Sequence, residues 1–144
     1  MGQNKFSVLL VDDSVDDRHF MQRIISQSTC LNVIAELADG EEAICYLKGE
    51  PPFDDRTRYP RPGVIFLDLK MPRKDGFAVL EWIKQSGPHD FLVFVISGSW
   101  LTEDITRSQA LGAHGYFKKT SLKGEQQQML REIEHACQKQ NSPG

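Results

Sequence analysis

The chain has 144 residues, of which 40% are hydrophobic, 26% charged and 9% aromatic, which is ordinary for a globular domain with one substantial core. Its net charge of −3 gives no general attraction to nucleic acid or anionic membranes, and no apolar run approaches the ~20 residues of a membrane span. Three cysteines without a close pair argue against a disulfide framework or zinc site. The first residues lead into a strand-like run rather than a signal peptide, so we expect a cytoplasmic protein.

Apolar runs that predict strands alternate along the chain with segments of helical periodicity. The first half contains, in order, a strand at 6–11, a helix with Phe20, Met21, Ile24 and Ile25 on one face, a strand at 33–37, a helix at 41–47 and a proline-rich loop at 49–63. The second half contains a strand at 64–67, a helix marked by Phe77, Leu80 and Ile83, a strand at 91–96, a helix at 102–111, a strand at 114–117 and a helix marked by Leu122, Leu130, Ile133 and Cys137. We expect one domain over residues 1–139 and a flexible polar tail at 140–144.

Five strands alternating with five helices predict an α/β fold in which a parallel sheet is covered by helices on both faces. The strands support this because they are continuous apolar runs, as expected when both faces of a sheet are buried. In such a sheet, the carboxyl ends of the strands line a crevice where ligands bind. The polar residues that end the apolar runs would meet there: Asp12, Asp13, Asp68, Ser97 and Lys119.

A cluster of three carboxylates is unstable alone, because like charges at close range repel and raise one another's pKa. A hard divalent cation relieves the repulsion, and Mg²⁺ prefers a few carboxylates plus water. A nearby lysine adds a positive charge that can bind a phosphate oxygen. Asp68, beside a metal, a hydroxyl and an ammonium, would therefore be suited to accept a phosphoryl group.

Four segments resemble, in order and spacing, the landmarks of bacterial response-regulator receiver domains: VLLVDDS at 8–14, VIFLDLKMPRKDG at 64–76, FVISGS at 94–99 and GAHGYFKK at 112–119. The resemblance extends over residues 5–138, nearly the whole chain. It implies a flavodoxin-like, doubly wound, five-stranded parallel sheet with strand order 2-1-3-4-5 and five helices.

The resemblance also implies the roles of the acidic residues. Asp68 would be the phosphoacceptor. Asp13, Asp68 and the backbone carbonyl of Lys70 would bind Mg²⁺, with Asp12 acting largely through water. In receivers, the position of Lys70 and the position of Ser99 tune the loss of the phosphoryl group by hydrolysis.

Three further residues receive roles from the same resemblance. Ser97 would hydrogen-bond the phosphoryl group, and Lys119 would hold one of its oxygens. Tyr116 would be the aromatic switch that turns inward when Ser97 moves. Trp100 would lie close to this site.

The sequence departs from the family pattern in three places. Thr120 replaces the proline that usually follows the lysine, so Lys118 is the alternative to Lys119. The loop at 49–63 is longer than in compact receivers, and its charges and aromatic pair make it either a partner-contact surface or a solvated insertion. The chain shows no sign of an output domain after the last helix, so we expect a receiver without one. These features resemble stand-alone receivers that partner phytochrome-type histidine kinases.

The sequence is therefore interpreted as a single-domain response regulator that accepts a phosphoryl group from a sensor histidine kinase. Its output would be altered contacts with a downstream protein target, or a homodimer, through the last two helices. It would catalyse only its own phosphotransfer and dephosphorylation, and would bind neither nucleic acid nor membrane.

Each assignment has an alternative. Asp12 and Asp13 could form a solvated turn, Asp68 or Ser97 could cap a helix, and Tyr116 could simply pack. A degenerate receiver would act only as a binding scaffold. A haloacid-dehalogenase-type phosphohydrolase needs a second aspartate where this chain has Lys70, and a flavodoxin relative would place its phosphate where Asp12 and Asp13 repel it.

Overall fold

The computed structural model describes residues 5–99 and 101–140, and residues 1–4, Trp100 and residues 141–144 lie outside this description. The strands are β1 Phe6–Val11, β2 Leu31–Leu37, β3 Val64–Leu67, β4 Leu92–Ser97 and β5 Gly115–Lys118. The helices are α1 Val15–Ile25, α2 Gly40–Lys48, α3 Gly76–Gln85, α4 Thr102–Ala110 and α5 Lys123–Gln140. None of the described helices combines the length and apolar character needed to cross a membrane.

The five strands form one parallel sheet in the order β2-β1-β3-β4-β5, which confirms the predicted topology. In the central register, Val11 of β1 lies beside Leu67 of β3, and Leu67 lies beside Val95 of β4. Because these strands are aligned and parallel, the residues that follow them meet at one edge of the sheet. That shared position is what brings Asp12, Asp68 and Ser97 together.

Successive side chains of each strand enter two different hydrophobic clusters, because side chains alternate between the faces of a sheet. On one face, Val8 and Leu10 pack with residues of α1 and α5 such as Ile24 and Ile133. On the other face, the neighbouring strand residues pack with α2 and α3. Burial on both faces explains why the strands read as continuous apolar runs.

Three helices begin at polar residues whose side chains accept a hydrogen bond from a backbone N–H of the first turn. Ser14 caps α1, Asp39 caps α2 and Asp75 caps α3. Because Asp75 caps α3, Asp68 is not needed as the cap of that helix. Gly76 approaches the end of β3 so closely that a Cβ atom would lie 2.4 Å from the carbonyl oxygen of Asp68.

Several strand and helix boundaries in the structure differ from the predicted ones. Strand β2 begins at Leu31 rather than at 33, because Phe6 and Ser7 pair with Leu31 and Asn32. Leu122 was wrongly assigned to the buried face of the last helix, since it precedes α5 and is 61% exposed. Helix α5 includes residue 140, where the tail was predicted to begin, and the remaining residues of that tail lie outside the described part of the chain.

The α2–β3 loop, residues 49–63, lies at the amino edge of the sheet because it leads into β3. Its two aromatic residues, Phe53 and Tyr59, point inward and pack against Tyr46 of α2, with ring centroids 5.1 and 6.1 Å away. The Tyr46 hydroxyl donates a hydrogen bond to the carbonyl of Pro60 at 2.8 Å. The aromatic pair is therefore half-buried against α2, whereas the charged residues Asp54, Asp55, Arg58 and Arg61 of the loop are exposed.

Candidate functional site: an acidic cluster at the carboxyl edge of the sheet

Asp12, Asp13 and Asp68 form one cluster, in which one carboxylate oxygen from each residue lies within 4.8 Å of the other two. Asp12 and Asp68 are each only 7% exposed, whereas Asp13 is exposed. The backbone continues the sheet up to these residues: the Asp12 N–H donates to the Leu37 carbonyl at 3.0 Å, and the Asp68 N–H donates to the Val11 carbonyl at 2.9 Å. The hydrogen bonds of the sheet therefore fix the backbone positions from which both buried carboxylates extend.

The Lys119 ammonium lies at the centre of this cluster. It is 2.8 Å from an oxygen of Asp12, 2.7 Å from one of Asp17 and 3.3 Å from one of Asp68. Burial alone would lower the pKa of Lys119, but its hydrogen bonds to Asp12 and Asp17 and the charge of Asp68 outweigh burial and raise that pKa. Lys119 is therefore charged at any physiological pH, and it is this lysine, the predicted one, that contacts the carboxylates.

The environment of Asp68 opposes ionisation, because burial raises the pKa of its carboxyl group to about 6. The charge of Lys119 lowers this pKa, the nearby charge of Asp12 raises it, and the Leu69 N–H, which donates to Asp68 Oδ1 at 2.9 Å, lowers it again. The carboxylate predominates above neutrality, although it is less stable than a solvated one. A bound cation would stabilise the ionised form further.

The donor set matches a hard divalent cation. Three carboxylates from two adjacent strand ends supply only oxygen ligands, which suit Mg²⁺ or Mn²⁺ rather than zinc or copper. Lys119 contacts Asp12, Asp17 and Asp68, and Asp13 adds a fourth carboxylate nearby, so a divalent cation would balance part of the remaining negative charge. The exposed side chain of Asp13 leaves the cluster accessible to water and to a cation from solvent.

Ser97 ends β4 beside the cluster and is 1% exposed. Its backbone carbonyl accepts a hydrogen bond from the Lys119 N–H at 2.8 Å, which holds the two residues side by side. Its hydroxyl oxygen accepts from the Ser99 N–H at 3.1 Å. The predicted phosphoryl-binding residues, Ser97 and Lys119, therefore lie together, but Ser97 at present bonds its own loop.

Tyr116 lies on β5 and is linked to the same loop. Its hydroxyl donates to the Ser99 carbonyl at 2.9 Å, while the Ser99 hydroxyl donates to Asp104 of α4 at 2.6 Å. Ser99 thus joins the predicted switch residue to both the end of β4 and the start of α4. The side chain of Lys70 is exposed two residues after Asp68.

Sequence reasoning missed two residues of the site. In the sequence, Asp17 is one of two acidic residues in the first turn of α1, but in the structure its carboxylate reaches Lys119. Arg18 donates a short hydrogen bond to the backbone carbonyl of Asp12 and another to Glu36 at 3.2 Å. The available signal was position, because a residue in the first turn after β1 lies over the edge where β1 ends.

Comparisons with known proteins agree with this geometry. The family model described as the response regulator receiver domain matches residues 8–131. Response regulator Rcp1 of Synechocystis sp. is 32% identical over 128 residues, which are 88% of this chain and 85% of that protein. A crystal structure of the phosphorylated cyanobacterial phytochrome response regulator RcpA superposes with a TM-score of 0.76 at 32% identity, covering 90% of this chain and 91% of that one. The Mn²⁺-bound form of Rcp1 superposes with a TM-score of 0.75, also at 32% identity and with the same coverage.

Proposed function

The chain belongs to the response-regulator receiver family, and from this premise we propose that it accepts a phosphoryl group on Asp68 from a phosphohistidine of a sensor kinase. The observation that carries the proposal is the convergence of Lys119 and two further carboxylates on Asp68. A buried carboxylate at a strand end, paired with a lysine and flanked by hard-metal ligands, is built for phosphoryl transfer rather than for capping.

In the transfer, an oxygen of Asp68 bonds to phosphorus as the bond from phosphorus to the kinase imidazole breaks. The electron pair of that bond returns to the imidazole nitrogen. Lys119 is placed to bind an equatorial phosphoryl oxygen, and the Ser97 hydroxyl would turn from accepting the Ser99 N–H to donating to a second oxygen. The ionised form of Asp68 is the nucleophile, and a bound cation would favour that form by lowering the carboxyl pKa from its metal-free value of about 6.

Mg²⁺ is the proposed cofactor, held by Asp13, Asp68 and the backbone carbonyl of Lys70, with Asp12 as a ligand through water. When bound, the ion would neutralise the carboxylates and the charge on the transferring group. The oxygen-only donor set supports this choice.

Labelling with a small phosphodonor tests the site. With Mg²⁺, the protein should gain one acid-labile phosphoryl group, and Asp68→Asn should gain none. Asp75→Asn is the matched control, because Asn also caps helices and Asp75 is an exposed residue of the same segment. Undiminished labelling of the Asp68 variant would overturn the assignment. A chain that folds but takes no label would support the alternative, a degenerate receiver acting as a scaffold.

The kinase contact is proposed at the groove between α1 and the start of α5. This groove has a volume of about 380 Å³ and is lined by Phe20, Met21, Ile24, Met129 and Lys119. Phe20 is 37% exposed there, so an apolar surface lies directly beside the site. Phe20→Ala should slow transfer from a kinase that phosphorylates the wild type while sparing labelling by a small donor. Equal loss with both donors would count against this contact.

The output is proposed to pass through Ser99. If Ser97 turns toward the phosphoryl group, it releases the Ser99 N–H, and Ser99 also bonds Tyr116 and Asp104. The face of α4 and α5 would change, allowing a downstream protein or a second copy to bind. Small-angle scattering with and without phosphate tests this, and Tyr116→Phe should weaken any phosphorylation-dependent change.

The similarity to Rcp1 and to a phytochrome response regulator supports a phytochrome-type kinase as the phosphodonor and a single-domain mode of action. We accordingly propose a cytoplasmic signalling protein that catalyses only its own phosphorylation and dephosphorylation. The haloacid-dehalogenase alternative is excluded by the family match.

A further inference from the structure

The segment that connects Asp68 to α3, residues 69–75, contains an unusual backbone conformation. Among the described residues, Arg73 is the one non-glycine residue with a positive φ, 65°. The left-handed region is unfavourable for a residue with a Cβ atom and a long side chain, so surrounding contacts must hold it in place. This segment, here called the β3–α3 loop, includes Lys70, the proposed carbonyl ligand of the metal.

Two contacts hold Arg73. The Lys74 N–H donates to the Pro72 carbonyl at 2.8 Å, which closes a turn across Arg73, and the Arg73 side chain binds a carboxylate on a different element. Asp39, 3% exposed, accepts hydrogen bonds at Oδ2 from Arg73 Nε, at 2.8 Å, and from Arg73 Nη2. Its other oxygen, Oδ1, accepts from the Glu42 N–H at 2.8 Å and caps α2. One buried carboxylate therefore ties the start of α2 to the β3–α3 loop.

Backbone contacts reinforce the same junction. The Gly40 N–H donates to the Lys74 carbonyl at 2.9 Å, and a Cβ atom on Gly40 would lie 2.2 Å from that oxygen. At the far end of the loop, the Gly76 N–H donates to the Leu69 carbonyl at 2.9 Å. The loop is thus fixed where it leaves β3 and where it meets α2, and Lys70 lies between these two points.

We propose that Asp39 and Arg73 are positioning residues for the phosphorylation site, which hold the β3–α3 loop so that the Lys70 carbonyl stays directed at the metal. This inference rests on the proposed function. Without the ion pair, Arg73 would relax toward an ordinary φ, and the loop would rotate between Lys70 and Lys74. Neither residue touches the acidic cluster, so both act through the loop.

Two variants separate the ion pair from other effects. Arg73→Gly removes the ion pair, and because glycine adopts many backbone conformations besides positive φ, the variant leaves the loop free to move. Asp39→Asn keeps an oxygen that can cap α2 and leaves the loop sequence unchanged, but removes the charge that Arg73 binds. Lys74→Ala is the matched control, because the exposed Lys74 side chain lies in the same loop outside the ion pair.

The first measurement is the affinity for Mg²⁺ by calorimetry. Arg73→Gly and Asp39→Asn should each weaken Mg²⁺ binding three- to tenfold. The double variant should bind Mg²⁺ as tightly as the single variant with the lower affinity. Lys74→Ala should bind as the wild type does. Folded variants that bind Mg²⁺ with wild-type affinity would overturn the proposal, as would effects that multiply in the double variant.

Two further measurements distinguish positioning from a loss of stability. Amide hydrogen exchange at residues 69–74 should accelerate several-fold in Asp39→Asn, where added glycine flexibility plays no part, while exchange in β1 and β4 stays unchanged. In both variants, phosphorylation by a small donor should need more Mg²⁺ to reach half of its maximal rate. At saturating Mg²⁺, the rate should fall less than twofold. Faster amide exchange throughout the protein would contradict a positioning role. So would a phosphorylation rate that falls at saturating Mg²⁺ while the Mg²⁺ concentration for half-maximal rate stays unchanged. If the wild type takes no phosphate at all, the proposed function fails, while the affinity and exchange results still decide this inference.

Discussion

Lys119 Nζ lies 3.3 Å from Asp68 Oδ2, although β4 separates the strands that carry the two residues. The lysine follows β5, so its side chain passes the end of β4 to reach the carboxylate. Its ammonium also contacts Asp12 and Asp17, and it therefore supplies the positive charge on which three carboxylates depend. A metal ion entering the cluster would share this role with Lys119.

Lys119→Met should destabilise the metal-free protein. The substitution keeps the apolar stem but leaves two buried carboxylates without a cation, which costs about 1–3 kcal/mol at a partly exposed site. Urea unfolding at pH 7.5 with and without Mg²⁺ measures this, and Mg²⁺ should restore more stability to the variant than to the wild type. Lys123→Met, at an exposed position, is the control. Equal stabilisation of both proteins by Mg²⁺ would contradict the shared role.

Asp68→Asn should stabilise the metal-free protein at neutral pH. The folded pKa of Asp68, about 6, lies above the ordinary value, so its contribution to stability is complete below about pH 4 and is lost as pH rises through 6. The variant avoids this loss and should be more stable by roughly 1–3 kcal/mol at pH 7.5, with the difference vanishing near pH 4. Unfolding free energies across this range, without divalent cations, give the result. A difference that does not change with pH would refute it.

The sequence predicted the sheet and the strand ends because both depend on local patterns. A continuous apolar run followed by Asp12 or Asp68 is visible in the sequence, and parallel topology then brings such ends together. The ion pairs of Asp17 and Asp39 depend on where helices lie relative to the sheet. In sequence, Asp17 resembles an ordinary acidic residue of a first helical turn and Asp39 an ordinary helix cap, so the contacts of these two side chains required the structure.

The errors in predicted element boundaries also arose because local sequence patterns do not show how the elements pair and pack. Residue 31 was excluded from β2 because Asn32 interrupts the apolar pattern, yet Asn32 faces solvent on an outer strand. Leu122 matched the helical period but lies before α5 and is exposed. Periodicity identifies an element, whereas its ends depend on pairing and capping.

Asp13→Ala should weaken Mg²⁺ binding. The exposed carboxylate of Asp13 is one of three that can supply ligands, so its removal should cost at least about tenfold in affinity, or ~1.4 kcal/mol. Calorimetry with Mg²⁺ gives the dissociation constant directly. Asp16→Ala is the control, because Asp16 is also exposed and acidic but lies outside the cluster. Equal weakening by both variants would indicate a general effect of charge.

Tyr59→Ala should destabilise the fold without altering the site. Tyr59 packs edge-on against Phe53, with centroids 5.2 Å apart, and against the buried Tyr46. Loss of this partly buried ring should cost about 1–3 kcal/mol in unfolding free energy. Thr57→Ala, an exposed change in the same α2–β3 loop, should cost little. Because the loop lies at the amino edge, labelling by a small phosphodonor should match the wild type, and slower labelling of the folded variant would be inconsistent with this separation.

Lys70→Ala should shorten the lifetime of phosphorylated Asp68. The side chain of Lys70 is exposed. Because Lys70 follows Asp68 by two residues, we expect this side chain at the open side of the crevice, where water would attack phosphorus in line. Its four-carbon stem can cover the phosphoryl group and its ammonium can pair with an oxygen, whereas lysine has no acceptor with which to orient the attacking water. Removal should therefore speed hydrolysis a few fold, equivalent to ~1 kcal/mol of barrier. The first-order loss of phosphate after removal of the donor, at fixed Mg²⁺, measures this against Lys74→Ala. An unchanged or longer lifetime would leave only the backbone carbonyl of Lys70 with a role.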